Sequence, residues 1–395
     1  MNGIMLNIAT SYARFAVSIG AVAVVTPAII DGIGLEAYGI WAIVLATVSL
    51  LGLADFGLAT SAVKFVAESS GTGDIDKRNF MISALFSVYT LVACVLLLGT
   101  GAAVALGAGE AVLVDNREGA ALLLLSGCTA VAGLYLSLFR AVLAGAGLMY
   151  LANAVEIAMT CLYAALTLAA IDRGVPGLAG AFLIATAAGA IAMLLVAYLR
   201  IHRFRVRFSV RAAAGSGVIL RFSAWAFVAN AAMLALLRID PFVIGAFLPL
   251  TAVAIYSVAA RIAEYTLLLN KQFSNALMPV VSNAHGQGNS ELIAVVLLKG
   301  SRYLLLLALP LITFVGLYAE HIVVAWLGED LRSAGTPLRI LLVAVAVSVM
   351  QFNAANVLGM TGRHRFVATA LLVSVGCKLL LTMLLLPRLG LPGAA

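Results

Sequence analysis

Residues 177–199 read GLAGAFLIATAAGAIAMLLVAYL, without one charged side chain. As a helix rising 1.5 Å per residue the segment is roughly 35 Å long, enough to cross a hydrocarbon core of about 30 Å. Its glycines and alanines suit close helix–helix contact, where small side chains let backbones approach. Ten more stretches of this kind surround it, at 8–30, 37–61, 80–106, 119–143, 149–171, 222–247, 252–280, 297–319, 335–360 and 364–386. Charged residues are only 10% of the 395 and the mean hydropathy is +1.12, which excludes a soluble domain because such a domain needs a polar surface. The fold class is all-α, a polytopic membrane protein with about 11 transmembrane helices. Little chain remains for anything but turns.

The net charge of +7 does not point to nucleic acid. Lys and Arg collect in loops on one side. With the N-terminus inside, inner loops hold fourteen of them and outer loops five, so the N-terminus is expected in the cytoplasm. The most basic loop, Arg200 to Arg221, carries six arginines between the sixth and seventh spans. It reads first as a topology anchor and linker, with recruitment of anionic lipid headgroups as the functional alternative. It divides the chain into an N-terminal lobe (1–199), a basic cytoplasmic linker (200–221) and a C-terminal lobe (222–395).

An internal repeat agrees with two halves. Tyr38 matches Tyr256, Gly145 and Gly147 match Gly359 and Gly362, and Gly174-Val175-Pro176-Gly177 matches Gly390-Leu391-Pro392-Gly393, at offsets of 214 to 218. Gly177 opens the sixth span, and its counterpart Gly393 lies two residues before the last residue. The second half is therefore expected to lack its twelfth helix, as in a C-terminally truncated sequence.

No catalytic motif, metal spacing or phosphate-binding glycine loop occurs, so no enzyme and no cofactor are expected. Cys94, Cys128, Cys161 and Cys377 lie in apolar runs and read as small buried hydrophobes. The informative residues are the charges inside spans, which are rare in a bilayer and usually functional. Arg14 and Glu156 fall in the inner third, Arg238 and Asp240 in the outer third, and Asp55 and Lys271 near inner ends. Arg261 lies roughly 14 Å deep, with Glu264 a turn further and Lys378 outward of the midplane. Along the eighth span Ser257, Arg261, Glu264, Lys271, Gln272 and Asn275 share one helix face. The tenth span adds Gln351, Asn353 and Asn356. A polar face in a membrane helix must meet protein or water, so a hydrated cavity between the halves is expected. The competing reading is a local ion pair between Arg261 and Glu264 that neutralises both.

Gly34-Leu35-Glu36-Ala37-Tyr38-Gly39-Ile40-Trp41, followed by Leu53-Ala54-Asp55-Phe56-Gly57-Leu58, resembles the first hairpin of bacterial polysaccharide flippases. These are the Wzx-like, polysaccharide transporter branch of the multidrug/oligosaccharidyl-lipid/polysaccharide (MOP) exporter superfamily. Asp240-Pro241-Phe242-Val243-Ile244-Gly245 and Ala254-Ile255-Tyr256-Ser257-Val258-Ala259 are similar to the start of its second half, and Pro279 with Ser282 and Gly286 to the element after its eighth helix. The resemblance implies two six-helix-type halves in a V-shaped fold, in the bacterial inner membrane. It implies alternating-access transfer of undecaprenyl-diphosphate-linked oligosaccharide for surface polysaccharide, with membrane lipids and polysaccharide polymerase machinery as partners. Arg14, Arg238, Arg261, Lys271, Gln272 and Lys378 are then the candidates for holding substrate. Asp55, Glu156 and Glu264 are the candidates for coupling to a proton or sodium ion. A lipid II flippase and a multidrug or cation antiporter of the same superfamily are the alternatives. A membrane glycosyltransferase or polymerase fits less well, since no outer loop is long enough for a catalytic fold.

Overall fold

The computed structural model describes residues 2–72, 74–107, 116–209, 217–287, 289–360 and 364–395. Its helices are α1 (Asn2–Leu51), α2 (Leu58–Thr72), α3 (Ile75–Ala105), α4 (Asn116–Gly145), α5 (Met149–Ala170) and α6 (Gly174–Arg200). After these come α7 (Gly217–Arg238), α8 (Asp240–Phe247), α9 (Leu250–Gly286), α10 (Ser290–Leu317), α11 (Ala319–Leu327), α12 (Gly335–Met360) and α13 (His364–Leu389). The chain forms two compact units, Met1–Ala231 and Ala232–Ala395.

Among the described residues, nine helical stretches are long and apolar enough to cross a bilayer. Two of them are too long for one crossing. Ala9–Asp55 has 47 residues and Met149–Arg200 has 52, about 70 and 78 Å of helix against a core of about 30 Å. Each therefore holds two of the expected spans. The first folds back at Gly34 (φ 82°, ψ 167°), a conformation that glycine adopts at little cost. The second breaks at Gly174.

The second expected span, 37–61, is not one helix. Helix α1 stops at Leu51, a 3₁₀ turn occupies Gly52–Asp55, and Phe56 and Gly57 take positive φ (48° and 71°) before α2 begins. Gly57 tolerates this geometry, and the Asp55 carboxylate receives the Ala59 N–H at 3.4 Å in the first turn of α2.

The repeat is visible in the backbone. Gly174 (φ 64°, ψ −157°) and Gly390 (φ 66°, ψ −144°) share one conformation. Three residues on, Gly177 and Gly393 both sit against backbone: a Cβ would lie 2.5 Å from the Ala170 carbonyl oxygen in one and 2.5 Å from that of Leu385 in the other. Tyr38 and Tyr256 are both buried. The expected match at Gly362 lies outside the described residues.

In the first unit Leu58, Val66, Leu85, Tyr89, Leu138 and Met193 form the core where α2, α3, α4 and α6 meet. In the second, α9 and α12 pack closely, and α10 covers α12. Contrary to expectation, all four cysteines are exposed rather than buried. An apolar run in a membrane helix fixes composition and not which face packs against protein, so a small apolar residue in it can lie outside the core.

Candidate functional site

The charges within the spans gather into clusters, each inside one unit. In the first unit Glu156 on α5 is 9% exposed and is held by two arginines. Arg14 of α1 reaches Oε2 through Nη1 at 2.9 Å, and Arg140 of α4 reaches Oε1 through Nε at 2.6 Å. Next to it Asn153 donates to Thr10 and Ser11, both at 3.0 Å, and the Tyr150 N–H donates to Asn7 Oδ1 at 2.9 Å. These bonds align the three helices. Two guanidiniums on one carboxylate leave an excess positive charge, with the Arg14 and Arg140 side chains 33% and 38% exposed. A guanidinium carries five N–H donors in a planar fork that suits phosphate.

Asp55 is held differently. Its Oδ1 accepts from the Tyr89 hydroxyl and, at 3.4 Å, from Ser137 Oγ. Tyr89 is fully buried on α3 and Ser137 lies on α4. Among the described residues no cation lies within ion-pair distance of this carboxylate. It is thus unlike Glu156 and Glu264, the other two coupling candidates.

In the second unit the break between α7 and α8 sends two neighbouring charges to different partners. Arg238 Nη2 meets Glu264 Oε1 of α9 at 2.7 Å. Asp240, 6% exposed, takes the Lys378 ammonium of α13 at 2.8 Å and the Tyr256 hydroxyl of α9 at 2.7 Å, both on Oδ2. Lys378 also donates to the Leu236 carbonyl, one of those freed where α7 ends. Glu264 therefore has a partner beyond its own helix. Arg261 is half-buried one turn before it, and Lys271 is exposed. The Gln272, Asn275 and Asn356 side chains lie outside the described residues. Asn353 is buried and donates to Ser301 at 3.3 Å, while Gln351 is exposed.

Of the expected site residues, the structure brings together Arg14 with Glu156 and Arg238 with Glu264. In the sequence, Arg140 counts only among the fourteen inner-loop cations, and Tyr89, Ser137 and Asp240 carry no site role. Arg140 had a usable signal. It falls inside the last turn of an apolar span, on a helix joined to α5 by a short turn.

The sequence profile of the family described as polysaccharide biosynthesis protein matches residues 10–285. The chain belongs to that family. A second profile, MatE, matches residues 226–384. No curated protein matches the sequence closely enough to count as a relative. Solved structures share the fold of this family member at low identity. The lipid II flippase MurJ, in an inward closed conformation, has a TM-score of 0.77 at 12% identity, covering 99% of this chain and 83% of MurJ. An inward-facing multidrug resistance MATE family transporter of the MOP superfamily scores 0.72 at 18% identity, covering 95% of this chain and 92% of its own. A MOP superfamily transporter from Pyrococcus furiosus Vc1, described by a reversed polarity of its binding pocket, scores 0.64 at 17%, covering 99% and 88%. This member of the polysaccharide biosynthesis protein family thus has the apolar helices of a multi-pass membrane protein and the fold of solved MOP superfamily transporters and of a lipid II flippase.

Proposed function

We propose that the protein turns a lipid-diphosphate-linked oligosaccharide from the inner to the outer leaflet of the bacterial cytoplasmic membrane, with its N-terminus in the cytoplasm. The observation that carries this reading is the Arg14–Glu156–Arg140 cluster within a polysaccharide biosynthesis family member. A sugar-diphosphate headgroup is anionic and cannot enter hydrocarbon unaided. A pair of arginines short of one counter-charge replaces part of its hydration and accepts it without unpairing a carboxylate. Within the second unit, Arg238 and Arg261 are the cations proposed for the same role, with Lys271 and Gln272 further along the Arg261 helix. The transferred product then serves the polymerase machinery on the outer face.

Drug or cation export is the weaker alternative, because it calls for carboxylates open to a cationic substrate. Glu156, Glu264 and Asp240 are each engaged by Arg or Lys. Asp55 is instead the carboxylate suited to a coupling proton or sodium ion, because two hydroxyls bond to it and, among the described residues, no fixed cation competes.

Reconstitution in vesicles tests the reading. Transfer of an undecaprenyl-diphosphate oligosaccharide between leaflets is followed by enzymatic access to its sugar. Arg140→Gln should slow transfer by about tenfold or more, the scale of one lost charge-assisted phosphate contact. Unchanged transfer by Arg14→Gln and Arg140→Gln alike, or transport of organic cations by the unaltered protein, would overturn it. Faster turnover of lipid II than of the oligosaccharide would reassign the substrate within the same headgroup chemistry.

A further inference from the structure

Residues 200–208, Arg-Ile-His-Arg-Phe-Arg-Val-Arg-Phe, follow the last turn of α6. They are not a loose linker. Arg78 Nη2 donates to the His202 carbonyl at 2.6 Å and Asn79 Nδ2 to that of Arg203 at 2.8 Å. The Arg207 N–H donates to Ser83 Oγ at 3.2 Å and the Ser209 N–H to Ser87 Oγ at 2.8 Å. The segment is thereby strapped lengthwise along α3. Ile201 and Phe204 are buried beneath it, and Phe204 stacks edge-on against Tyr198 with ring centroids 4.9 Å apart.

Burial alternates along the strap. Phe204 points in and Val206 is half-buried, while Arg203, Arg205 and Arg207 are exposed. Among the described residues, none of the three has a carboxylate within ion-pair distance. This sets them apart from Arg14, Arg140 and Arg238, each of which has one. Depth follows from α3. At 31 residues it is about 46 Å long, so its ends extend beyond a core of about 30 Å. The strap runs beside residues 78–87, where the apolar stretch of α3 begins. Arg203 to Arg207 therefore lie at the headgroup layer. Tyr198 and Phe208, both 51% exposed, flank them as interfacial aromatics do.

We propose that this strap is a built binding shelf for the phosphates of anionic phospholipids in the leaflet it faces. A topology anchor needs only charge, wherever it falls in a loop. Here the backbone is fixed beforehand, so seating a headgroup costs little ordering of the protein. Each guanidinium offers a fork matched to a phosphate. The charge complementarity is to a phospholipid surface, and it does not depend on which substrate the transporter carries.

The test uses the purified full chain in vesicles of phosphatidylcholine doped with phosphatidylglycerol. A photoactivatable phosphatidylglycerol should crosslink to residues 198–208 of the unaltered protein. A triple variant, Arg203→Gln, Arg205→Gln and Arg207→Gln, should lose on the order of a hundredfold in its preference for phosphatidylglycerol over phosphatidylcholine, about fivefold per arginine at the surface. A variant losing as much charge elsewhere, Lys299→Gln, Arg302→Gln and Arg365→Gln, should keep the preference. Equal loss in both triple variants would overturn the shelf and leave an unspecific charge effect. So would crosslinking spread over all basic helix ends, a readout that stands even if the strap variant fails to fold. Flippase activity enters neither measurement, so failure of the transport reading leaves this test intact.

Discussion

Replacing Lys378 with Met tests whether the Lys378–Asp240 pair holds the second unit together. Asp240 is 6% exposed, and the Lys378 side chain is about a quarter exposed. Removing one partner of a buried pair costs about 3–5 kcal/mol, because the other charge is stranded. Partial exposure of the ammonium places this pair at the lower end, near 3 kcal/mol. Asp240→Asn keeps an acceptor for Tyr256 and leaves Lys378 on the Leu236 carbonyl, so its cost should be about 2 kcal/mol. In the double variant neither charge is stranded. The cost of the double variant should then fall short of the sum of the two single costs by about 2 kcal/mol. The assay is equilibrium unfolding of the four proteins in mixed detergent micelles, read by a fluorophore in the second unit. Costs that simply add, to within about 0.5 kcal/mol, would refute the reasoning and free Lys378 for substrate. Transport by a refolded double variant at near the original rate would confirm that Lys378 serves the fold.

Further outcomes follow from the other clusters. Asp55→Asn should remove the dependence of transport on an imposed proton or sodium gradient, whereas Glu156→Gln should leave it; gradient-driven uptake in vesicles decides, and persistence in Asp55→Asn refutes the coupling role. Gly177→Ala and Gly393→Ala should each cost about 1–3 kcal/mol in unfolding measurements, since the new Cβ meets a carbonyl oxygen at 2.5 Å in both. A large cost at one and none at the other would dissolve the proposed equivalence of the two turns. In a chain with its native cysteines replaced, Arg205→Cys should resist an impermeant thiol reagent applied to intact cells and Asp330→Cys should react, the reverse pattern sinking the orientation.

The spans were legible because hydrocarbon imposes a length and an apolar composition on any helix that crosses it. The turns at Gly34, Gly174 and Gly390 were legible too, since glycine marks a backbone that other residues avoid. The break at 52–57 was not. Its residues are apolar apart from Asp55, and a hydropathy window passes over a helix end that costs no apolar content. The pairing of charges was also hidden. Sequence gives the depth of a charge along its own helix but not the neighbour it faces. Arg261 and Glu264, three residues apart, invited a local pair, yet Glu264 is held by Arg238 from 26 residues away. Glu156 likewise draws its arginines from 142 and 16 positions off.

Those pairings carry a mechanical consequence. Glu156, Glu264 and Asp240 are each neutralised by cations of their own unit. A charge satisfied in this way makes the same contribution whatever lies beyond its unit, so a transport cycle need not strand it. Asp55 differs in kind. Beside the Ala59 N–H, its side-chain partners are hydroxyls, which can bond to either protonation state, and it sits where helix gives way to a left-handed turn. Binding or losing one small cation there changes the charge at a backbone break without disturbing any ion pair in the unit. Under the proposed function, substrate recognition in this unit falls to the two arginines on Glu156, and coupling to Asp55, which has no ion-pair partner among the described residues. Separate single substitutions can therefore remove one property and leave the other.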